Sequence, residues 1–155
     1  SAVAQSGLGG ELLDLQRYEE AVSHLREAIR LDPKSAGTNY RLGAGLAELG
    51  HVREAEARYR ESLRLDPNFS FAHNNLGVVL AEQGRLDEAL PHFTAVIRLQ
   101  PDDVEALANA GTMLMRLGRK AEAARLFEKA LALVPDNAEI RQKLSLVKAG
   151  GDGRQ

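Results

Sequence analysis

The chain has 155 residues, of which 44% are hydrophobic and 27% charged, with a formal net charge of −2 and no cysteine. This balance fits a folded globular or repeat protein, and the near-neutral charge argues against a nucleic-acid-binding surface, which needs a basic field. The lack of cysteine excludes disulfides, thiolate metal sites and a cysteine nucleophile. No apolar run approaches the ~20 residues of a membrane-spanning helix.

Four prolines recur at a constant interval of 34 residues, and each closes a similar segment. Upstream of each proline, an alanine and, four residues later, a large apolar residue keep the same phase. The prolines are Pro33, Pro67, Pro101 and Pro135, the alanines Ala21, Ala55, Ala89 and Ala123, and the large residues Leu25, Tyr59, Phe93 and Phe127. A fixed period of this length indicates stacked units that bury their apolar faces against one another.

Each period predicts two helices, because apolar residues recur at helical spacing on both sides of a turn and proline ends the second helix. The predicted repeats cover residues of about 2–35, 36–69, 70–103 and 104–137. Gly50, Gly84 and Gly118 occupy the same turn in three repeats. Gln16 stands there in the first repeat, so we expect that turn to be less relaxed. The glycines at positions 7, 9 and 10 predict a frayed first helix.

Residues 138–149 predict one further helix with a single apolar stripe and a polar back, which is typical of the helix that caps the end of a repeat array. The glycine-rich residues 150–155 are expected to be disordered. Because the chain begins at Ser1 in the middle of a repeat pattern, we interpret it as an excised or processed segment. The prediction is thus one array over residues 1–149, followed by a tail.

The segment Leu76-Gly77-x-x-Leu80, followed by Ala89-x-x-x-Phe93 and Pro101, resembles the tetratricopeptide repeat (TPR) family. The other repeats carry the same pattern, so the resemblance covers roughly residues 2–149, although no repeat has the family's tryptophan. It implies an all-α, right-handed α-solenoid of four helix hairpins plus a C-terminal capping helix. It also implies a concave groove that binds another protein.

One line of residues, a turn into each first helix, has the phase that faces the groove in TPR proteins. It reads Gly7, Arg41, Asn75, Asn109 and Lys143. In some members similar to the repeats of O-linked N-acetylglucosamine transferase, this phase forms an asparagine ladder. A side-chain amide both donates and accepts hydrogen bonds, so it can hold a peptide backbone. The alternative is that both asparagines are simply solvated.

The resemblance implies a peptide-binding groove in which amides hold a backbone, basic side chains meet acidic groups, and aromatic side chains give apolar contact. The predicted groove residues are Tyr40, Arg41, Phe71, Asn74, Asn75, Val78, Asn109, Thr112, Arg116 and Lys143. The positions needed for a dicarboxylate clamp are not filled, so we expect no such clamp.

No catalytic motif or metal-ligand spacing is found in the sequence, so we expect no enzymatic activity, no metal and no cofactor. The predicted partner is another protein or peptide, with no nucleic acid and no membrane. Two alternatives stay open: a substrate-recruiting arm of a larger enzyme, such as a glycosyltransferase, and weak self-association through the terminal helices. A cytoplasmic location is expected, and a periplasmic one is left open.

Overall fold

A computed structural model describes residues 1–150, and the predicted tail beyond Gly150 lies outside the described residues. This part of the chain is entirely helical, which confirms the expected all-α class. Its helices are α1 (Ala2–Asp14), α2 (Tyr18–Leu31), α3 (Ala36–Glu48), α4 (Val52–Leu65), α5 (Ser70–Glu82), α6 (Leu86–Leu99), α7 (Val104–Arg116), α8 (Lys120–Leu133) and α9 (Ala138–Ala149).

The chain divides into two compact units. The first comprises Ser1–Val79, with α1 to α4 and most of α5, and the second begins at Leu80 and contains α6 to α9. The core of the first unit is built around fully buried Leu25, Leu46 and Tyr59. In the second unit, Leu107 and Phe127 pack in one cluster with apolar residues of α8 and α9. Each unit therefore buries its own apolar faces.

The helices α3, α7 and α9 each follow a polar residue whose side chain caps them. Ser35 Oγ accepts a hydrogen bond from the Thr38 amide at 3.2 Å. The side chains of Asp103 and Asn137 do the same for the amides three residues later, at 2.8 Å and 3.0 Å. Such a cap satisfies a donor that the helix leaves unpaired, and contributes about 1 kcal/mol.

The turn inside each hairpin needs a left-handed residue. Gly50, Gly84 and Gly118 have φ angles of 75°, 74° and 76°, and Gln16 has a φ of 57°. The amide of the next residue then bonds a carbonyl of the preceding helix, as from Arg17 to Leu12 at 2.9 Å. A left-handed conformation costs a residue with a Cβ about 1–2 kcal/mol. The turn at Gln16 is therefore strained, as its sequence predicts.

Glycines in the first helices let the second helices approach closely. A Cβ on Gly43 would lie 2.8 Å from the Tyr59 ring, and one on Gly111 would lie 2.7 Å from the Phe127 ring. Gly9 has the same phase, and its Cβ would lie 2.5 Å from Leu25. The structure has α1 as a continuous helix, unlike the frayed helix that its glycines predict. The sequence reasoning missed that Gly9 is required for packing.

Candidate functional site

An open cleft of about 570 Å³ lies between α1 and α3 in the first unit. Gly7 and Gly10 form part of its α1 side, and Tyr40, Arg41 and Ala44 line its α3 side. A Cβ on Gly7 would meet no atom within 4 Å, so the missing side chain leaves space at the cleft wall. We call this feature the α1–α3 cleft. It can accept a side chain or a short stretch of polypeptide.

Arg41 is held in the cleft by a buried chain of hydroxyl groups. Its Nη1 donates to Ser6 Oγ at 3.1 Å, and Ser6 Oγ lies 2.9 Å from Thr38 Oγ1. Thr38 Oγ1 in turn donates to Ser35 Oγ at 2.9 Å. Gly10 leaves room for the arginine, since a Cβ there would lie 3.3 Å from Arg41 Nε. The guanidinium is therefore fixed in position, although the residue is exposed.

Aromatic side chains adjoin the α1–α3 cleft. The Tyr40 ring lies 5.2 Å from the Phe69 ring, edge to face, and 6.0 Å from the Phe71 ring. Phe71 is 63% exposed, which is unusual for so large an apolar side chain. We call Tyr40, Phe69 and Phe71 the aromatic surface. Phe71 is the exposed member of this surface, while Tyr40 and Phe69 are half-buried.

Asn75 contacts the hydroxyl group of a buried tyrosine. Its Nδ2 donates to Tyr59 Oη at 3.3 Å, while Tyr59 itself is 1% exposed. Burial raises the pKa of Tyr59 to about 12, and the hydrogen bond from Asn75 opposes this rise. Burial also raises the pKa of Tyr40, against the effects of Asn75 and of the Arg41 charge. The Nδ2 group of Asn75 is thus used in a hydrogen bond with the protein interior.

The second unit has the corresponding residue Asn109, with a different neighbour. Phe93 takes the phase of Tyr59 there and has no hydroxyl group to offer. Within residues 1–150, the side chain of Asn109 forms no hydrogen bond, and the residue is half-buried on α7. Thr112 on the same helix donates its hydroxyl to the Ala108 carbonyl at 2.8 Å. The amide of Asn109 is therefore available to a ligand.

The predicted cations differ in their availability. Lys143 Nζ lies 2.6 Å from Glu139 Oε1, so its charge is already paired. Arg116 is exposed and forms no ion pair with the part of the chain that the structure describes. Arg116 is the better placed of the two to meet an acidic group.

The structure brings four of the predicted residues together in the first unit, namely Tyr40, Arg41, Phe71 and Asn75. Asn74 and Val78 are half-buried on α5 in the same unit, whereas Asn109, Thr112, Arg116 and Lys143 belong to the second unit. Sequence reasoning did not place Phe69 in the site. A signal existed, because Phe69 has the phase at which Ser35, Asp103 and Asn137 cap their helices.

Two kinds of site are absent from the described part of the chain. Residues 1–150 contain no group of histidine, aspartate and glutamate side chains arranged to hold a metal ion. None of their helices is long and apolar enough to cross a membrane.

Sequence profiles of the tetratricopeptide repeat match most of the chain. One matches residues 40–95 and 83–138, and a second TPR profile matches residues 9–50. No curated protein sequence matches the chain.

Several solved structures share this fold. A structure titled MamA 41-end from Desulfovibrio magneticus RS-1 has a TM-score of 0.89 and 26% identity, over 97% of this chain and 85% of that one. YrrB, titled a TPR protein with an unusual peptide-binding site, has a TM-score of 0.80 and 28% identity, over 92% of this chain and 73% of that one. PilF of Pseudomonas aeruginosa has a TM-score of 0.83 and 26% identity, over 97% and 68% of the two chains.

Proposed function

We propose that this chain, which belongs to the tetratricopeptide repeat family, binds an extended segment or a helix of a partner protein. In the first unit the binding face is formed by α1, α3 and α5, and in the second unit α7 carries the corresponding positions. The observation that carries the proposal is the open α1–α3 cleft beside an aromatic surface in which Phe71 is 63% exposed. Exposed aromatic residues next to a cavity are typical anchors of protein interfaces. The peptide-binding site named for YrrB is consistent with such a role.

Each proposed site residue, in either unit, has a distinct role in the proposal. Tyr40 and Phe71 contact apolar side chains of the partner. Asn109 holds its backbone, because the amide can accept an N–H and donate to a carbonyl at once. Asn75 contributes its carbonyl oxygen, since its Nδ2 is bonded to Tyr59. The remaining proposed contacts are Asn74, Val78 and Thr112 as lining, with Arg41, Arg116 and Lys143 as cations.

The proposed role is binding alone, as a scaffold without a catalytic step or a cofactor. The partner is a protein or peptide, and the proposal includes neither nucleic acid nor membrane. A cytoplasmic location stays a prediction.

The proposal is tested by filling the cleft without disturbing the fold. Gly7→Leu adds a side chain where a Cβ meets no atom within 4 Å, and removing a helical glycine favours the helix by about 0.8 kcal/mol. Gly37→Leu is the matched control, because Gly37 also has open space and does not line the cleft. We expect Gly7→Leu to weaken capture of the natural partner roughly tenfold, and Gly37→Leu to leave it unchanged.

The measurement is quantitative co-purification of partner proteins with the wild-type chain and both variants, after circular dichroism has shown equal helicity. Equal capture by the wild-type chain and Gly7→Leu would contradict the proposed face.

A second candidate function is weak self-association through the terminal helices. Val3 and Leu8 on α1 are 83% and 41% exposed, and Leu146 on α9 is 59% exposed. Burying these side chains between copies would remove apolar surface from water. Sedimentation across a range of concentrations tests this candidate, and one monomeric species throughout would remove it.

A further inference from the structure

Phe69 departs from the N-capping pattern of the other first helices. Ser35, Asp103 and Asn137 each cap a helix with a side-chain oxygen, and Phe69 has no such atom at the same phase. Phe69 therefore cannot supply the side-chain cap that stabilises the other first helices by about 1 kcal/mol each. Phe69 instead packs edge to face on Tyr40 and lies 6.2 Å from Phe71. Departures of this kind are concentrated at functional sites, so the aromatic surface is a candidate docking surface.

The charge next to the aromatic surface indicates what binds there. Glu11, Asp14 and Glu48 line the α1–α3 cleft, and none of them forms a hydrogen bond or ion pair through its side chain within residues 1–150. Among the described lining residues the cation is Arg41, whose Nη1 is turned to Ser6. The cleft thus has an excess of negative charge.

Carboxylates elsewhere behave differently. Glu20, Glu61 and Glu122 each bond an arginine three residues away, at 2.6 Å, 2.7 Å and 2.8 Å. Such pairs neutralise the exposed charge of the second helices. The carboxylates of the cleft have no such arginine, so a positive group brought by a partner would meet them without displacing an existing bond.

We propose that the partner segment carries an arginine or lysine close to a large apolar side chain. The basic group enters the α1–α3 cleft, where it meets Glu11, Asp14 and Glu48, and the apolar side chain packs on Phe69 and Phe71. This inference rests on the proposed function, since it specifies the chemistry of the segment that the same face binds.

Tyr40 explains why the two groups should be neighbours in the partner. It lines the cleft and also contacts Phe71, at 6.0 Å between ring centres. A guanidinium or ammonium group in the cleft can therefore lie next to the Tyr40 side chain while it meets carboxylates, and both kinds of contact favour a cation. An acidic segment would meet only repulsion, apart from Arg41.

The test uses the full chain and a phage-displayed library of random dodecapeptides. Peptides that bind are sequenced, and the most enriched one is synthesised with a fluorophore for anisotropy titrations at low and at physiological salt. We expect enrichment of arginine or lysine within a few positions of an aromatic residue or leucine. We also expect weaker binding at higher salt, because salt screens exposed charges.

Three variants identify the contacts. Replacing Glu11 and Glu48 together, by Glu11→Gln and Glu48→Gln, should weaken binding of this peptide roughly fivefold to twentyfold and reduce its salt dependence. Phe71→Ser should weaken binding at both salt concentrations, and it is a mild change because the side chain is exposed. Glu19→Gln, an exposed glutamate on α2 outside the cleft, is the control and should change nothing.

The outcomes separate this inference from the proposed function. If enriched peptides lack basic residues, or the double glutamine variant binds the basic peptide as well as the wild-type chain does, the inference is wrong and peptide binding stands. If no peptide is enriched at all, both are contradicted.

Discussion

Asn75 in the first unit and Asn109 in the second have the same repeat phase, but only the Asn75 side chain has a hydrogen-bond partner within the described residues. Asn75 donates to the buried hydroxyl of Tyr59 at 3.3 Å, whereas Phe93 replaces that tyrosine in the phase of Asn109. The side chain of Asn109 forms no hydrogen bond within the described residues 1–150. One asparagine therefore stabilises the fold, and the other is available for a ligand. A repeated residue does not imply a repeated role.

The largest expected effect on stability comes from the glycines on which helix packing depends in both units. Gly43→Ala and Gly111→Ala would each bring a Cβ within 3 Å of an aromatic ring, of Tyr59 and of Phe127. We expect each variant to lose about 1–3 kcal/mol of the free energy of unfolding, because the packed rings cannot move away at no cost. Chemical denaturation measures the loss, and Gly37→Ala, which has open space, should gain stability instead. Two neutral variants would show that helix packing does not need these glycines.

The second-largest expected effect is the difference in stability loss between alanine variants of Asn75 and Asn109. Asn75→Ala should cost about 1 kcal/mol, because Tyr59 loses its hydrogen-bond donor in a buried position. Asn109→Ala should stay within about 0.5 kcal/mol of the wild-type chain, since alanine is the better helix former and no described bond is lost. Denaturation curves of both variants decide this. Equal losses at the two positions would contradict the distinction.

Ionisation of the Tyr59 hydroxyl makes the stability of the protein depend on pH in the alkaline range. Its folded-state pKa of about 12 lies above the ordinary value of about 10. A proton held more tightly in the folded state stabilises the protein fully below about pH 10, and this contribution is lost as the pH rises through about 12. Tyr59→Phe should cost about 1 kcal/mol at neutral pH and have a shallower alkaline decline. Parallel alkaline profiles would contradict the assignment.

The smallest effect distinguishes the hairpin turns of the two units. Gln16→Gly would give the first turn the residue that Gly118 supplies in the second unit, at a φ of 57° in place of 76°. We expect a gain of about 0.5–1 kcal/mol, because glycine adopts this region without steric cost. Thermal unfolding measures the gain. Unchanged stability would mean that the turn at Gln16 is not strained.

Much of the fold could be predicted from the sequence, because the residues that recur in each repeat have predictable structural roles. Pro33 and its equivalents end helices, Gly50 and its equivalents allow left-handed turns, and the aromatic residues of the second helices fill the core. The frayed first helix was not observed, since the packing role of Gly9 becomes clear only when Leu25 lies against it.

The candidate site was less predictable than the fold. The phase of Asn75 and Asn109 indicates a face, but it cannot show that Tyr59 binds one amide. The phase of Phe69 marks it as a departure from the capping residues Ser35, Asp103 and Asn137, but its contact with Tyr40 depends on packing in the first unit that the phase does not show. Periodicity predicts backbone architecture well, whereas individual side-chain contacts depend on neighbours distant in sequence.

The central claim is that a partner segment binds the face formed by the first helices. Amide chemical-shift mapping of the isotopically labelled chain, titrated with the enriched dodecapeptide, tests it most directly. The account predicts changes concentrated on α1, α3 and α5 of the first unit, including Arg41, Phe71 and Asn75. Changes confined to the second helices α2 and α4 of that unit would contradict it.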